Sequence, residues 1–171
     1  ASEGIDARQV VTSLRDLQRA VTRVLNEHAQ GALCESYIDG REITASLLGW
    51  PVLLLPLGEI DFSRMPPGHA RIISYDAKWT PASADYAHTP SVACVLDAQS
   101  HERIARWVLR AARALALRDV ARIDLRLATD GTPYVIDVNP NCDLGDDAGF
   151  ARAAARARIG YDELIALVMA R

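Results

Sequence analysis

Two short stretches in which every second side chain is apolar, 120–127 and 134–139, flank the dipeptide Asp130-Gly131 and call for a β-hairpin. A helix cannot satisfy a period of two, and an Asp-Gly pair supplies the positive φ values of a tight turn. With Asp130 and Gly131 as central turn residues, Thr129 pairs with Thr132. That register sets Asp124 opposite Asp137 and Arg122 opposite Asn139. Arg122, Asp124 and Arg126 then share one face of the first strand, while Ile136 and Val138 of the second point toward the core. Two directly opposed carboxylates destabilise a sheet unless something neutralises them. A hard divalent cation with oxygen ligands is the simplest neutraliser, and the amide oxygen of Asn139 completes the protein side. Mg2+ takes one or two carboxylates and leaves its other positions to water and phosphate oxygens, which points to a nucleotide substrate with Arg122 beside the transferring phosphate. The competing reading is a surface hairpin whose exposed face is simply charged.

The rest of the chain alternates irregularly between helical and strand-like patterns. The spacing of Leu14, Leu17, Val21, Val24 and Leu25 predicts a helix over 14–29, with Ser13 as N-cap and an arginine row on its outer face. Two strand-like runs follow, 32–38 and 41–48, joined at Asp39-Gly40 as a hairpin that carries Glu35, Tyr37 and Glu42 on one face. A third strand is expected over 52–60. The Pro-, Ser- and Gly-rich text of 61–90 reads as a long loop broken by a short strand near Ile72-Ile73. Ser100 opens a helix to about Leu117, with Ile104, Trp107, Val108, Ala111 and Leu115 inward and Arg103, Arg106, Arg110 and Arg113 outward. Two Ala-rich helices follow 140–147. The mixed order makes the class α+β with a largely antiparallel sheet.

Half of the residues are hydrophobic and 24% are charged, a balance that excludes disorder, and no apolar run reaches the roughly 20 residues of a membrane span. A formal net charge of -3 gives no reason to expect nucleic acid as a partner. Cys34, Cys94 and Cys142 are odd in number and form no C-x-x-C pair, so neither a disulfide framework nor a zinc site is expected and a reducing cytoplasm fits. No charged segment followed by an apolar core opens the chain, so no secretory signal is expected. The start at Ala1-Ser2-Glu3-Gly4, without an initiator Met, is what a domain cut from a longer protein shows.

Four blocks, in order, resemble ATP-grasp ligases of the D-alanine–D-alanine ligase type. Arg122-Ile123-Asp124 followed by Val135-Ile136-Asp137-Val138-Asn139-Pro140-Asn141 is similar to their metal-binding hairpin, and the run 33–43 to their adenine and ribose strand pair. Leu57-Gly58-Glu59-Ile60 and Tyr75-Asp76-Ala77-Lys78-Trp79 resemble two further blocks. The resemblance implies part of the central ATP-binding lobe over 1–48 and the C-terminal lobe, an antiparallel sheet flanked by helices, over 49–171. It implies that Glu35 and the backbone of Ser36, Tyr37 and Ile38 bind adenine, and that Glu42 holds the ribose hydroxyls. Lys78, the only lysine in the chain, would reach the ATP phosphates. Asp124, Asp137 and Asn139 would bind Mg2+, with Mn2+ as an alternative, and Arg122 would stabilise charge on the acyl phosphate and tetrahedral intermediate. The implied partners are small-molecule amino acid or peptide substrates and an N-terminal part of the ligase, with a homodimer compatible and no nucleic acid or membrane involved.

Three features depart from the family pattern. Asp137 stands where a glutamate is usual, one methylene longer. The loop Asn141-Cys142-Asp143-Leu144-Gly145-Asp146-Asp147 lacks the Gly-Thr-Ser pattern that holds a terminal carboxylate, and its acids suit an amine-rich acceptor. Ser2-Glu3-Gly4-Ile5 is similar to the last part of the flexible phosphate loop, so two upstream lysines lie outside the chain. The expected function is an ATP- and Mg2+-dependent carboxylate-amine ligase, inactive as this fragment alone. The alternatives are a non-catalytic ATP-binding or regulatory module, and a cysteine hydrolase using Cys142 with His88 or His101.

Overall fold

The computed structural model describes residues 5, 7–49 and 51–170, so the expectation for Ser2, Glu3 and Gly4 lies outside the described residues. The chain forms two compact units, Ala1–Tyr37 with Asp61–Pro90, and Ile38–Ile60 with Ser91–Arg171. These units interleave along the sequence, whereas the lobes expected from the resemblance divide it once, between 48 and 49.

In the first unit a 3-10 turn at Ala7–Gln9 precedes helix α1, Leu14–His28. As expected, Ser13 caps α1, accepting from the Asp16 amide at 3.1 Å, and Ala29 ends it in the left-handed conformation. None of its residues is buried. Over 61–90 the chain forms two short helices rather than a loop with a strand: α2, Tyr75–Trp79, and α3, Ala84–His88. Each opens on a serine, Ser74 or Ser83, that accepts from the amide three residues on. Near the expected strand, Ile72 N–H instead donates to the Ala70 carbonyl at 3.0 Å.

The second unit is built on an antiparallel sheet of β1 (Gly40–Leu48), β2 (Leu53–Leu54), β3 (Gly58–Ile60), β4 (Ser91–Ala93), β5 (Val120–Ala128) and β6 (Pro133–Asn139). The strand order is β4-β3-β1-β5-β6, with β2 added at the end of β1. β1 and β5 pair along their whole length, from Gly40↔Ala128 to Leu48↔Val120. Both edges of β1 are thus taken, one by β5 and the other by β2 and β3. No side of β1 is left for 32–38, which forms no strand, and the hairpin expected at Asp39-Gly40 does not exist. Gly40 instead starts β1 at φ 150°, where a Cβ would collide with the Leu127 carbonyl. Pro56 breaks the single strand expected over 52–60 into β2 and β3, because it has no N–H for a ladder.

Helix α4, Ala98–Ala114, covers one face of the sheet: Ile104, Val108 and Ala112 pack on Ile43, Ala45 and Leu47 of β1 and on Ile123 and Leu125 of β5. Its N-cap is Asp97, which accepts from the Ser100 amide at 2.9 Å, rather than Ser100 itself. Trp107 and Leu115, expected inside, are exposed, and the Arg110 guanidinium lies 5.0 Å from the Trp107 ring. On the other face, α5 (Gly149–Arg156) and α6 (Tyr161–Met169) bury Phe150, Ala154 and Leu164 against Leu48, Leu55 and Cys142. This second core covers one end of its face. On the central strands β1 and β5 the next positions of this face are polar, from Glu42 to Ser46 and from Arg122 to Arg126, and they carry the candidate site.

Candidate functional site

The pairs at the heart of the hairpin are those the alternation demands: Asp124↔Asp137 and Arg122↔Asn139. The route to them differs. The turn closes between Ala128 and Thr132, with Ala128 N–H donating to the Thr132 carbonyl at 3.0 Å and Gly131 alone at positive φ, 79°. That three-residue loop pairs Leu127 with Pro133, one residue out of the expected register, and an irregularity between Asp124 and Leu125 restores it. Ile136 is the extra residue. It is exposed rather than in the core, while Val138 packs against the core as expected.

Strand alternation brings one row from each of three strands onto the polar face: Asp137 and Asn139 of β6, Arg122, Asp124 and Arg126 of β5, and Glu42, Thr44 and Ser46 of β1. Arg122 clamps Asp124 with two parallel bonds, Nε to Oδ1 at 2.8 Å and Nη2 to Oδ2 at 2.7 Å. Burial alone lowers the Arg122 pKa, but the hydrogen bonds and charge of Asp124 outweigh it and hold the guanidinium above its usual value. Arg126 Nη2 pairs with Glu42 Oε2 at 2.8 Å, both side chains being about nine-tenths or more buried. The Asn139 amide is oriented by the Asn141 N–H, which donates to its Oδ1 at 2.9 Å.

The donor set Asp124, Asp137 and Asn139 is all oxygen. Among the described residues no group of three or more His, Cys, Asp or Glu is gathered that could hold a metal. Two carboxylates and one amide oxygen suit a hard cation that keeps most of its positions for water or phosphate.

The other expected residues are distributed between the two units. Glu35, Ser36 and Tyr37 lie on exposed, irregular chain of the first unit, and Lys78 is exposed in the last turn of α2 in the same unit. Ile38 and Glu42 belong to the second unit. Cys142 is buried in the apolar cluster under α5 and α6, and desolvation raises its thiol pKa. His101 sits on α4, which covers the opposite sheet face, and His88 belongs to the first unit. A buried thiol whose pKa is raised by desolvation argues against a cysteine hydrolase, which needs a readily formed thiolate. The sequence reading missed Thr44, Ser46 and the role of Arg126 as the partner of Glu42. The alternation of Glu42, Thr44 and Ser46 with Ile43, Ala45 and Leu47 is the signal that identifies them.

The same architecture recurs in solved structures. A Bacillus anthracis D-alanine–D-alanine ligase complexed with ATP superimposes with a TM-score of 0.71 at 25% identity, over 93% of this chain and 46% of that one. D-alanyl-alanine synthetase A of Vibrio cholerae matches with 0.69 at 22% identity, again over 93% of this chain and 46% of that one. The fold is therefore that of the ATP-grasp ligases, an α+β C-terminal lobe with antiparallel sheet and flanking helices, together with part of the central lobe. A family model described as D-ala D-ala ligase C-terminus matches residues 2–170, and the chain belongs to that family. Among curated relatives, an uncharacterised Sinorhizobium fredii protein, y4sG, is 34% identical over 92% of this chain and 45% of its own length. The D-alanine–D-alanine ligase of Carboxydothermus hydrogenoformans is 30% identical over 94% of this chain and 49% of its own. The chain thus spans about half the length of these relatives.

Proposed function

We propose that this chain carries the metal- and ATP-binding half of an ATP- and Mg2+-dependent carboxylate-amine ligase acting on small-molecule amino acid or peptide substrates. The observation that supports this best is the opposition of Asp124 and Asp137 on a sheet face shared with Arg122. In this reading a substrate carboxylate takes the terminal phosphoryl group of ATP, an amine attacks the acyl phosphate, and ADP and phosphate leave. Asp124, Asp137 and Asn139 hold Mg2+ or Mn2+, whose contribution is to neutralise phosphate oxygens. Arg122, clamped by Asp124, is pre-oriented, so it stabilises developing charge without reorganising. Glu35 and the 36–38 backbone bind adenine, Glu42 the ribose, and Lys78 the phosphates. Arg126 holds Glu42 in one orientation for that task. The lobes in this reading run over 1–48 and 49–171. A cytoplasmic location belongs to it, and a homodimer is compatible with it. An upstream part supplies the remaining lysines and the first-substrate site, so this chain alone binds nucleotide weakly and does not turn over.

One observation favours a second reading, a nucleotide-binding module without turnover: the chain spans about half the length of its ligase relatives, so it carries the metal-site residues without a full set of substrate contacts. Mn2+ binding measured by electron paramagnetic resonance with ADP present tests the metal assignment, and Asp137→Asn is expected to weaken it about tenfold. Affinity that survives Asp137→Asn sinks the assignment. Joining the chain to the upstream half of a relative should give ADP release that depends on carboxylate and amine. Nucleotide binding without such release favours the second reading.

A further inference from the structure

The polar face continues beyond the opposed carboxylates. The row that starts at Asp137 runs through Asp124, Thr44 and Gly58 to Ala93, so Gly58 lies two strands from Asp124. Its φ is unexceptional for a strand, so backbone freedom is not the reason for a glycine here; the reason is space. A Cβ at Gly58 would come within 2.5 Å of Thr44 Oγ1 and 3.4 Å of Arg156 Nη1, with Ser91 Oγ 3.8 Å away. One turn earlier on α5, Arg152 Nη1 points to the Ser91 carbonyl at 3.5 Å.

Two guanidinium groups and two hydroxyls therefore gather near Gly58, whose missing side chain lets Thr44 and Arg156 lie close to the strand. Among the described residues neither arginine makes an ion pair with an aspartate or glutamate. Burial, and then repulsion from Arg152, hold the Arg156 guanidinium below its usual pKa, and no carboxylate offsets them. Arg156 contrasts with the other arginines beside the sheet: Arg41, Arg122 and Arg126 each have a carboxylate partner. A cation that is partly desolvated, repelled and unmatched contributes nothing to folding through ion pairing, and its geometry is open to an incoming oxyanion.

We propose that Arg156, supported by Arg152 and the hydroxyls of Thr44 and Ser91, anchors a second carboxylate of the substrate, about two strand spacings (roughly 10 Å) from Asp124. The inference rests on the ligase reading, in which the reacting carboxyl lies against Arg122. A guanidinium matches a carboxylate with paired donors, and the hydroxyls can donate to the same oxygens. Gly58 lets the Thr44 hydroxyl and the Arg156 guanidinium come together over the strand. The site thus selects a substrate with an acidic group remote from the reacting centre over a small monocarboxylic amino acid.

The test is titration of the 171-residue chain with succinate, without metal, followed by calorimetry and thermal unfolding. Arg156→Gln is expected to weaken succinate about tenfold, and Arg156→Lys to restore part of the loss by keeping the charge without the fork. Mn·ADP affinity should stay unchanged in both. Arg156→Gln should unfold at or above the wild-type temperature, since it removes an unmatched cation; an arginine retained for folding would lower it. Undiminished succinate affinity, a parallel loss of Mn·ADP affinity that would assign the site to nucleotide phosphate, or a lowered Tm in Arg156→Gln overturns the proposal. Failure of the ligase reading is distinct, because it is read in Asp137→Asn through Mn·ADP and leaves succinate binding untouched.

Discussion

Charged side chains inside this sheet survive only in pairs, and the pairs differ in what they demand. Glu42 and Arg126 are both buried, so removing one charge leaves the other uncompensated in a low-dielectric surrounding. Glu42→Gln should cost about 3 kcal/mol in urea denaturation, and the double change Glu42→Gln with Arg126→Met should recover most of it. If the single and double variants are equally destabilised, the pair is not the source of the cost. Cys94 offers a second test, through pH. Burial, then the Glu59 charge, push its thiol up to about 11. Its folded pKa is raised, so its contribution is fully present below the unfolded value near 9 and is lost as pH rises through about 11. Stability should therefore fall between about pH 9 and 11, and Cys94→Ser should flatten that part of the profile. A slope unchanged by the substitution would assign it to other groups. Cys34, exposed, should react with a thiol reagent well before Cys94 or Cys142.

At the level of elements, the β5–β6 hairpin places the site through two offsets that cancel. The loop at 129–131 shortens the register by one and the irregularity at Ile136 adds one back, so Asp124 meets Asp137 as a simple two-residue turn would also have arranged. Gly131 is the residue this loop cannot replace cheaply, because it sits at φ 79°. Gly131→Ala should cost about 1 kcal/mol, read as a lower denaturation midpoint with an unchanged slope. A neutral result would mean that the turn readily adopts another form. Alternation made the opposed carboxylates and the α4 core legible, since it is a local rule about which side chains share a face. Competition for edges was not legible: 32–38 has the composition of a strand, but β5, β2 and β3 leave β1 no free side. Trp107 and Leu115 show the same limit. Both fit the helical period, but α4 buries only the narrow stripe Ile104, Val108 and Ala112. Arg156 gave no signal of its own, because its neighbours Thr44, Gly58 and Ser91 lie more than sixty residues away in sequence.

For the whole molecule, the two compact units differ in what holds each together. The second has two apolar clusters, one on each face of a sheet whose central strands pair over nine residues. The first buries Phe62, Ser74, Ala77 and Thr89, and its longest helix buries no residue. A 15-residue helix in water is marginal without a packed face, however well Ser13 caps it. Local stability follows apolar burial, so the slowest amide exchange should be in β1 and β5 and the fastest helical exchange in α1. Hydrogen exchange with mass spectrometry resolves the two by peptide. A chain spanning about half the length of its relatives gives this measurement a second use. Joining it to the upstream half of a relative should slow exchange in α1 and leave β1 and β5 unchanged, if α1 takes its missing packing from that half. Protection of α1 equal to that of β5 in the chain alone would refute the account, because burial would then not set the order.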